Sequence, residues 1–236
     1  MNKPAHLTEP FVYPGMAKKS LANYFTRHPS PAVSELVYVR NSEEVLTWIQ
    51  KNGLEEKVRK TDMEEIKYST LSTYFAFVLS VPESYGRNIP SPIFIFPFTL
   101  KCFTEIGMDV LLRGHEYVHA QDFFAGILLQ DGSLFPYDNP LYSLVLEMRA
   151  LTSELSMQRA ISGKCRRNEL SQRGELDLVC KTLRAYKESL ARSRRGVVLD
   201  SMVIQFLEYT VDCADQELAC SLDAIENDLQ LSVIAQ

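Results

Sequence analysis

The sequence predicts an α+β protein, mainly helical, in which a small mixed sheet packs on two adjacent helices and a helical region follows at the C-terminus. Three observations carry this expectation. Ile93-Phe94-Ile95-Phe96 is a short run of β-branched and aromatic residues of strand length. Residues 108–129 are apolar on several sides, as a buried helix requires. From residue 168 the chain reads as two long helices, over 168–194 and 199–229, of opposite charge.

Residues 1–33 carry Pro4, Pro10, Pro14, Pro29 and Pro31 and no sustained periodicity, so they read as a proline-rich N-terminal arm with at most a short helix over 17–26. Residues 34–40 alternate and are β-branched, which suits a first strand. Ser42 then caps a helix with Glu43 and Glu44 in its first turn, Val45, Leu46 and Ile49 on its apolar face, and Gly53 at its end. Residues 54–67 are charged and partly helical, 74–81 form a strand, and 82–92 form a loop broken by Gly86, Pro90 and Pro92. Pro97 marks Ile93–Phe96 as a strand end or a sheet edge, because proline cannot donate to the ladder. A helix over 108–129 follows, with Asp109 in its N-terminal turn. Asp131-Gly132-Ser133 then turns the chain. Asn139-Pro140 opens a further helix that reaches about residue 161.

Residues 164–195 carry ten Lys or Arg against four Asp or Glu, whereas 200–236 carry eight acids and no Lys or Arg. The simplest account is two helices, over 168–194 and 199–229, packed with complementary faces. The expected organisation is an arm over 1–33, a core over 34–163 and a C-terminal helical region over 164–236 packed on that core.

Composition excludes several classes. The chain has 236 residues, 46% hydrophobic and 23% charged, as in ordinary globular proteins. A net charge of −5 gives no reason to expect nucleic acid or an anionic membrane as partner. The five cysteines, at 102, 165, 180, 213 and 220, form no C-x-x-C pair and favour a reducing compartment. The first ten residues lack the apolar stretch of a signal peptide, and no run reaches the length of a membrane span. The expectation is a cytoplasmic protein.

The helix over 108–129 contains His115-Glu116-Tyr117-Val118-His119. Residues four apart share a helix face, so two imidazoles at this spacing can reach one Zn²⁺ without a loop to join them. Glu116 stands beside the metal, placed to take a proton from a water held there. A catalytic zinc takes three protein ligands and keeps an open position. His6 and His28 lie in the arm, which leaves carboxylates. The H-E-x-x-H-x-x-G-x-x-H pattern is absent, since Asp122 and Ala125 stand at its last two fixed positions. The next helix offers Glu147 and Glu154, seven apart and so on nearly the same face. Either can be the third ligand, leaving the other to bond a histidine.

Over residues 93–160 the chain resembles the gluzincin-type zinc metallopeptidases, in which an H-E-x-x-H helix precedes a helix bearing a glutamate ligand, often as E-x-x-A-D. Glu147 and Ala150 match the first and fourth positions, 28 residues beyond His119. Leu151 replaces the aspartate that in this family orients a ligand histidine. The resemblance implies His115, His119 and Glu147 as ligands (Glu154 the alternative), Zn²⁺ as cofactor, Glu116 as general base and a protein or peptide as substrate. It also implies that the strand over 93–96 or the one over 74–81 pairs with extended substrate. Tyr137, Tyr142 and Arg149 are candidate oxyanion donors by sequence proximity. The alternative is a non-catalytic interaction protein with a structural or degenerate metal site, acting through its C-terminal helices.

Overall fold

A computed structural model describes residues 14–68, 76–97, 105–162 and 169–234. Its backbone is mainly helical with one small mixed sheet, as expected. Helix α1 spans Pro14–Arg27 and leads into strand β1, Val33–Tyr38. Helices α2 (Ser42–Lys51) and α3 (Lys60–Tyr68) follow, then the short strand β2, Ala76–Val78, and β3, Ser91–Ile95. The N-cap of α2 is Asn41 rather than Ser42: the Asn41 side chain accepts from the Glu44 amide.

The sheet order is β1-β3-β2, with β1 parallel and β2 antiparallel to β3. Phe94 is therefore paired on both sides, with Val37 and with Phe77. Of the two expectations drawn from Pro97, a sheet edge is thus corrected, and a strand end holds. Pro97 lies just past the last ladder residue, so its missing N–H costs β3 nothing. The edges among the described residues are β1 and β2.

Two apolar layers cover the sheet, and the alternation of β3 serves both. Phe94 and Phe96 face α2 and α3, packing with Val45, Ile49, Val58 and Ile66. Ile93 and Ile95 face the opposite way, into a cluster with Ala17, Leu21 and Tyr24 of α1 and Met108, Leu112 and Ala120 of the next helix. The proline-rich arm thus contains a fourteen-residue helix buried against the sheet, longer than the expected short helix.

That next helix, α4, is not uniform. It runs as α-helix over Glu105–Asp109, as π-helix over Val110–Glu116 and as α-helix again over Tyr117–Ala125. It stops at Gly126 (φ 72°), short of the expected residue 129, although Ile127, Leu128 and Leu129 prolong the apolar pattern. The chain instead pairs Leu128 with Leu134 in an isolated antiparallel bridge. The last carbonyls of α4 are satisfied by the preceding loop, where Gly86 and Asn88 donate their amides to Phe123 and Phe124 at 2.8 Å. Asp109 lies within α4 rather than in an N-terminal turn. It accepts from the Tyr24 hydroxyl at 2.7 Å and so ties α1 to α4.

Helix α5, Tyr142–Ser162, lies antiparallel to α4; Asn139 accepts the Leu141 amide just before its start. Helices α6 (Glu169–Ser193) and α7 (Ser201–Ile234) pack chiefly on α5, around Val145, Met148, Leu155, Leu183 and Phe206. Their charged faces meet as expected, through Lys187 with Asp215 and Arg194 with Glu208. Among the described residues, no helix is long and apolar enough to cross a membrane.

Candidate metal centre

The π-helical segment ends at Glu116, so His115 lies in its last turn and His119 follows in regular α-helix. A wider turn of this kind, with its i→i+5 hydrogen bonds, recurs in helices at functional sites. His115 and His119 keep their four-residue spacing, with ring planes at 84° and centroids 4.7 Å apart. Their Nε2 atoms approach to 3.1 Å. Glu147, in the second turn of α5, faces both: its Oε1 lies 3.5 Å from the His119 Nε2 and its Oε2 lies 3.7 Å from the His115 Nε2. These three residues are a cluster whose ligand atoms all lie within 4.8 Å of one another.

Glu154 takes a different place. Its Oε2 lies 2.9 Å from the His115 Nδ1, on the far side of the ring from the cluster. A carboxylate accepts only, so the His115 Nδ1–H donates and Nε2 is the nitrogen turned toward His119 and Glu147. Of the two glutamates left open by sequence, Glu147 shares the histidine cluster and Glu154 bonds behind it.

The two helices are held in this register by two further contacts. Gly114 lies so close to α5 that a Cβ there would stand 3.2 Å from the Glu154 Cα. One turn beyond His119, the buried Asp122 accepts a two-pronged bond from Arg149, from Nε at 2.8 Å and from a terminal nitrogen at 2.9 Å. Sequence reasoning missed this pair. Its only signal was an acid three residues past His119 and an arginine two past Glu147.

Arg149, a candidate oxyanion donor, is thus engaged by Asp122. Tyr137 and Tyr142 pack with Tyr85 and with Phe123 in the last turn of α4, with ring centroids 4.8–6.1 Å apart, and Arg59 lies over the Tyr137 ring. No described contact joins Tyr137, Tyr142 or Arg149 to the cluster. His28 lies 3.8 Å from Asp109, and His6 is outside the described residues.

The electrostatics are those of a buried, carboxylate-rich pocket. Burial pushes Glu116 up to about 7, with Glu147 and Glu154 adding to the rise and His115 opposing it. Burial pulls His115 down, but the Glu154 hydrogen bond and the surrounding carboxylates outweigh it and raise the group to about 9. Burial and the neighbouring His115 hold His119 well below the ordinary histidine value. Within this centre, the buried Glu116 Oε2 and His119 Nδ1 have no hydrogen-bond partner among the described residues.

The donor set fits a metal ion. Ligand atoms at 2.0–2.2 Å on a tetrahedron stand about 3.3–3.6 Å apart. The observed separations of 3.1, 3.5 and 3.7 Å bracket that edge. Two imidazole nitrogens and a carboxylate oxygen suit a borderline divalent cation and leave one tetrahedral position open.

Comparison with known protein families, with curated proteins and with solved structures gave no match. The functional reading therefore rests on the site itself.

Proposed function

We propose that the protein is a zinc-dependent metallopeptidase that hydrolyses peptide bonds with Glu116 as general base. The observation that carries the proposal is the convergence of both imidazole Nε2 atoms on the Glu147 carboxylate, with Glu116 buried in the adjoining helical position.

His115, His119 and Glu147 would hold the ion, and α4 and α5 supply them from rigid elements. Zinc held by three protein ligands acts as a Lewis acid, lowering the pKa of a water towards 7 and polarising a carbonyl. Glu116 follows His115 by one residue, so its carboxylate flanks the ligand set and does not enter it. Its unpartnered Oε2 accepts the proton of the attacking water and returns it to the leaving amine. The small relative exposure of Glu116, 4%, keeps that oxygen away from bulk solvent, where it would be hydrogen-bonded and a weaker base.

Metal stoichiometry tests the reading. Protein purified without added metal and dialysed mildly is expected to carry about one zinc per chain, as a single three-ligand site requires. Protein that is metal-free and takes up no added zinc would remove the basis for the enzyme. Stoichiometric zinc without hydrolysis of any peptide would favour an interaction protein with a structural site.

A further inference from the structure

Two faces of the His115 ring are occupied by different glutamates of one helix. Glu147 meets the Nε2 side and Glu154, two turns later, meets Nδ1 at 2.9 Å. The side chains of His115 and Glu154 are both only 14% exposed, so water competes little for this bond. The close approach at Gly114 brings the α5 backbone at Glu154 against α4 one residue before His115; any larger residue would press on it. His119 has no such support: its Nδ1 is buried without a partner among the described residues. Leu151, where a carboxylate orienting a histidine would be expected, is buried in the apolar cluster with Leu155 and Met148.

We infer that Glu154 is the positioning residue of the centre, holding the His115 Nδ1–H so that Nε2 is the nitrogen presented to the ion, while His119 has no such hydrogen bond at its Nδ1 among the described residues. The inference rests on the metal reading above for its purpose, and on the hydrogen bond for its mechanism. A hydrogen-bonded carboxylate behind a ligand imidazole fixes its tautomer and makes it a better donor, and losing such a partner lowers metal affinity about 10–100-fold. The centre is thus asymmetric, with a carboxylate behind one imidazole and no such partner behind the other among the described residues.

The test uses the full chain as wild type, Glu154→Ala and Glu154→Gln. Zinc affinity is measured by chelator competition, and the His115 ring nitrogens are followed by long-range proton–nitrogen NMR in the metal-free protein. Wild type is expected to show a His115 Nδ1–H protected from exchange. Glu154→Gln, whose amide oxygen still accepts, keeps that signal and binds zinc within about tenfold of wild type. Glu154→Ala loses the signal and about 10–100-fold in affinity. Should Glu154→Ala not fold, the behaviour of Glu154→Gln decides. Unchanged affinity with the signal intact in Glu154→Ala overturns the inference. So does a Glu154→Gln variant that loses zinc as completely as Glu147→Gln, which would make Glu154 itself a ligand. A wild type that takes up no zinc, with the Nδ1–H signal still dependent on Glu154, overturns the metal reading and leaves the ring-positioning role in place.

Discussion

Each residue of the centre owes its part to one atom's orientation. His115 turns Nε2 inward because Nδ1 is engaged by Glu154, and His119 turns Nε2 inward because its ring lies edge-on to His115 on the same helix face. The histidine pair and Glu116 were legible in the sequence, because a four-residue spacing on a helix admits one geometry. Helical spacing alone did not choose between Glu147 and Glu154, although the resemblance favoured Glu147. Seven residues return a side chain to nearly the same face, and only the height of α5 against α4 separates the two. Replacing a ligand should therefore differ from replacing its neighbour. His119→Ala is expected to lose stoichiometric zinc and to be less stable than the zinc-loaded wild type by about 1–3 kcal/mol, since the remaining buried ligand groups are left unpaired. Glu147→Gln should keep the fold and weaken zinc retention. Elemental analysis with thermal melting checks both, and full occupancy with an unchanged melt in His119→Ala would remove His119 from the ligand set.

Among the elements, the pairing of α4 with α5 is what turns a sequence pattern into a site. The apolar run over 108–129 revealed that α4 exists and is buried, but not its π-helical stretch, because hydrogen-bond register leaves no mark in residue type. It also overran the true end, since Ile127 and Leu129 are buried just as helical residues would be, while Gly126 has already turned the chain. Pro97 left a strand end and a sheet edge both open, because a missing N–H is tolerated at either, and it proved to mark the strand end. The Asp122–Arg149 bond fixes the register of the two helices close to Glu147. Asp122→Asn keeps the size but removes the charge. It should lower stability by roughly 2–3 kcal/mol, less than loss of a fully buried pair because Arg149 is a third exposed. It should also weaken zinc binding measurably; denaturant melts and chelator competition read the two effects. A variant with a lower melting point and unchanged zinc affinity would show that the pair supports the fold alone.

Over the whole molecule, the centre lies between two cores, one built on the sheet and one built around α5 by the C-terminal helices. The division of charge between 164–195 and 200–236 announced two complementary helices, and they do meet through ion pairs. Their main contacts, however, are apolar and made with α5, which no charge pattern could disclose. Of α1, only a short helix over 17–26 was expected, and its burial was hidden because the prolines around it masked the spacing of Ala17, Leu21 and Tyr24. These energies rank the parts. Phe206→Ala empties a buried position between α5 and α7 and should cost about 3–5 kcal/mol. Asp215→Asn breaks an exposed pair with Lys187 and should cost less than about 1 kcal/mol. In either folded variant, zinc affinity should equal that of the wild type, because neither residue belongs to the ligand set or to the Asp122–Arg149 pair; equilibrium unfolding and chelator competition together check this.

The central claim is that Glu116 moves a proton and does not hold the metal, and Glu116→Gln tests it most directly. The substitution keeps size and one hydrogen-bonding oxygen while removing the proton acceptor. Wild-type and variant proteins, both loaded with zinc, would be incubated with a cell extract, and new peptide termini would be mapped and their rates compared. The account predicts equal zinc content, an equal fold and a rate lower by roughly 10²–10⁴-fold, the usual worth of a positioned general base. Equal rates for wild type and Glu116→Gln on a peptide so found would contradict it.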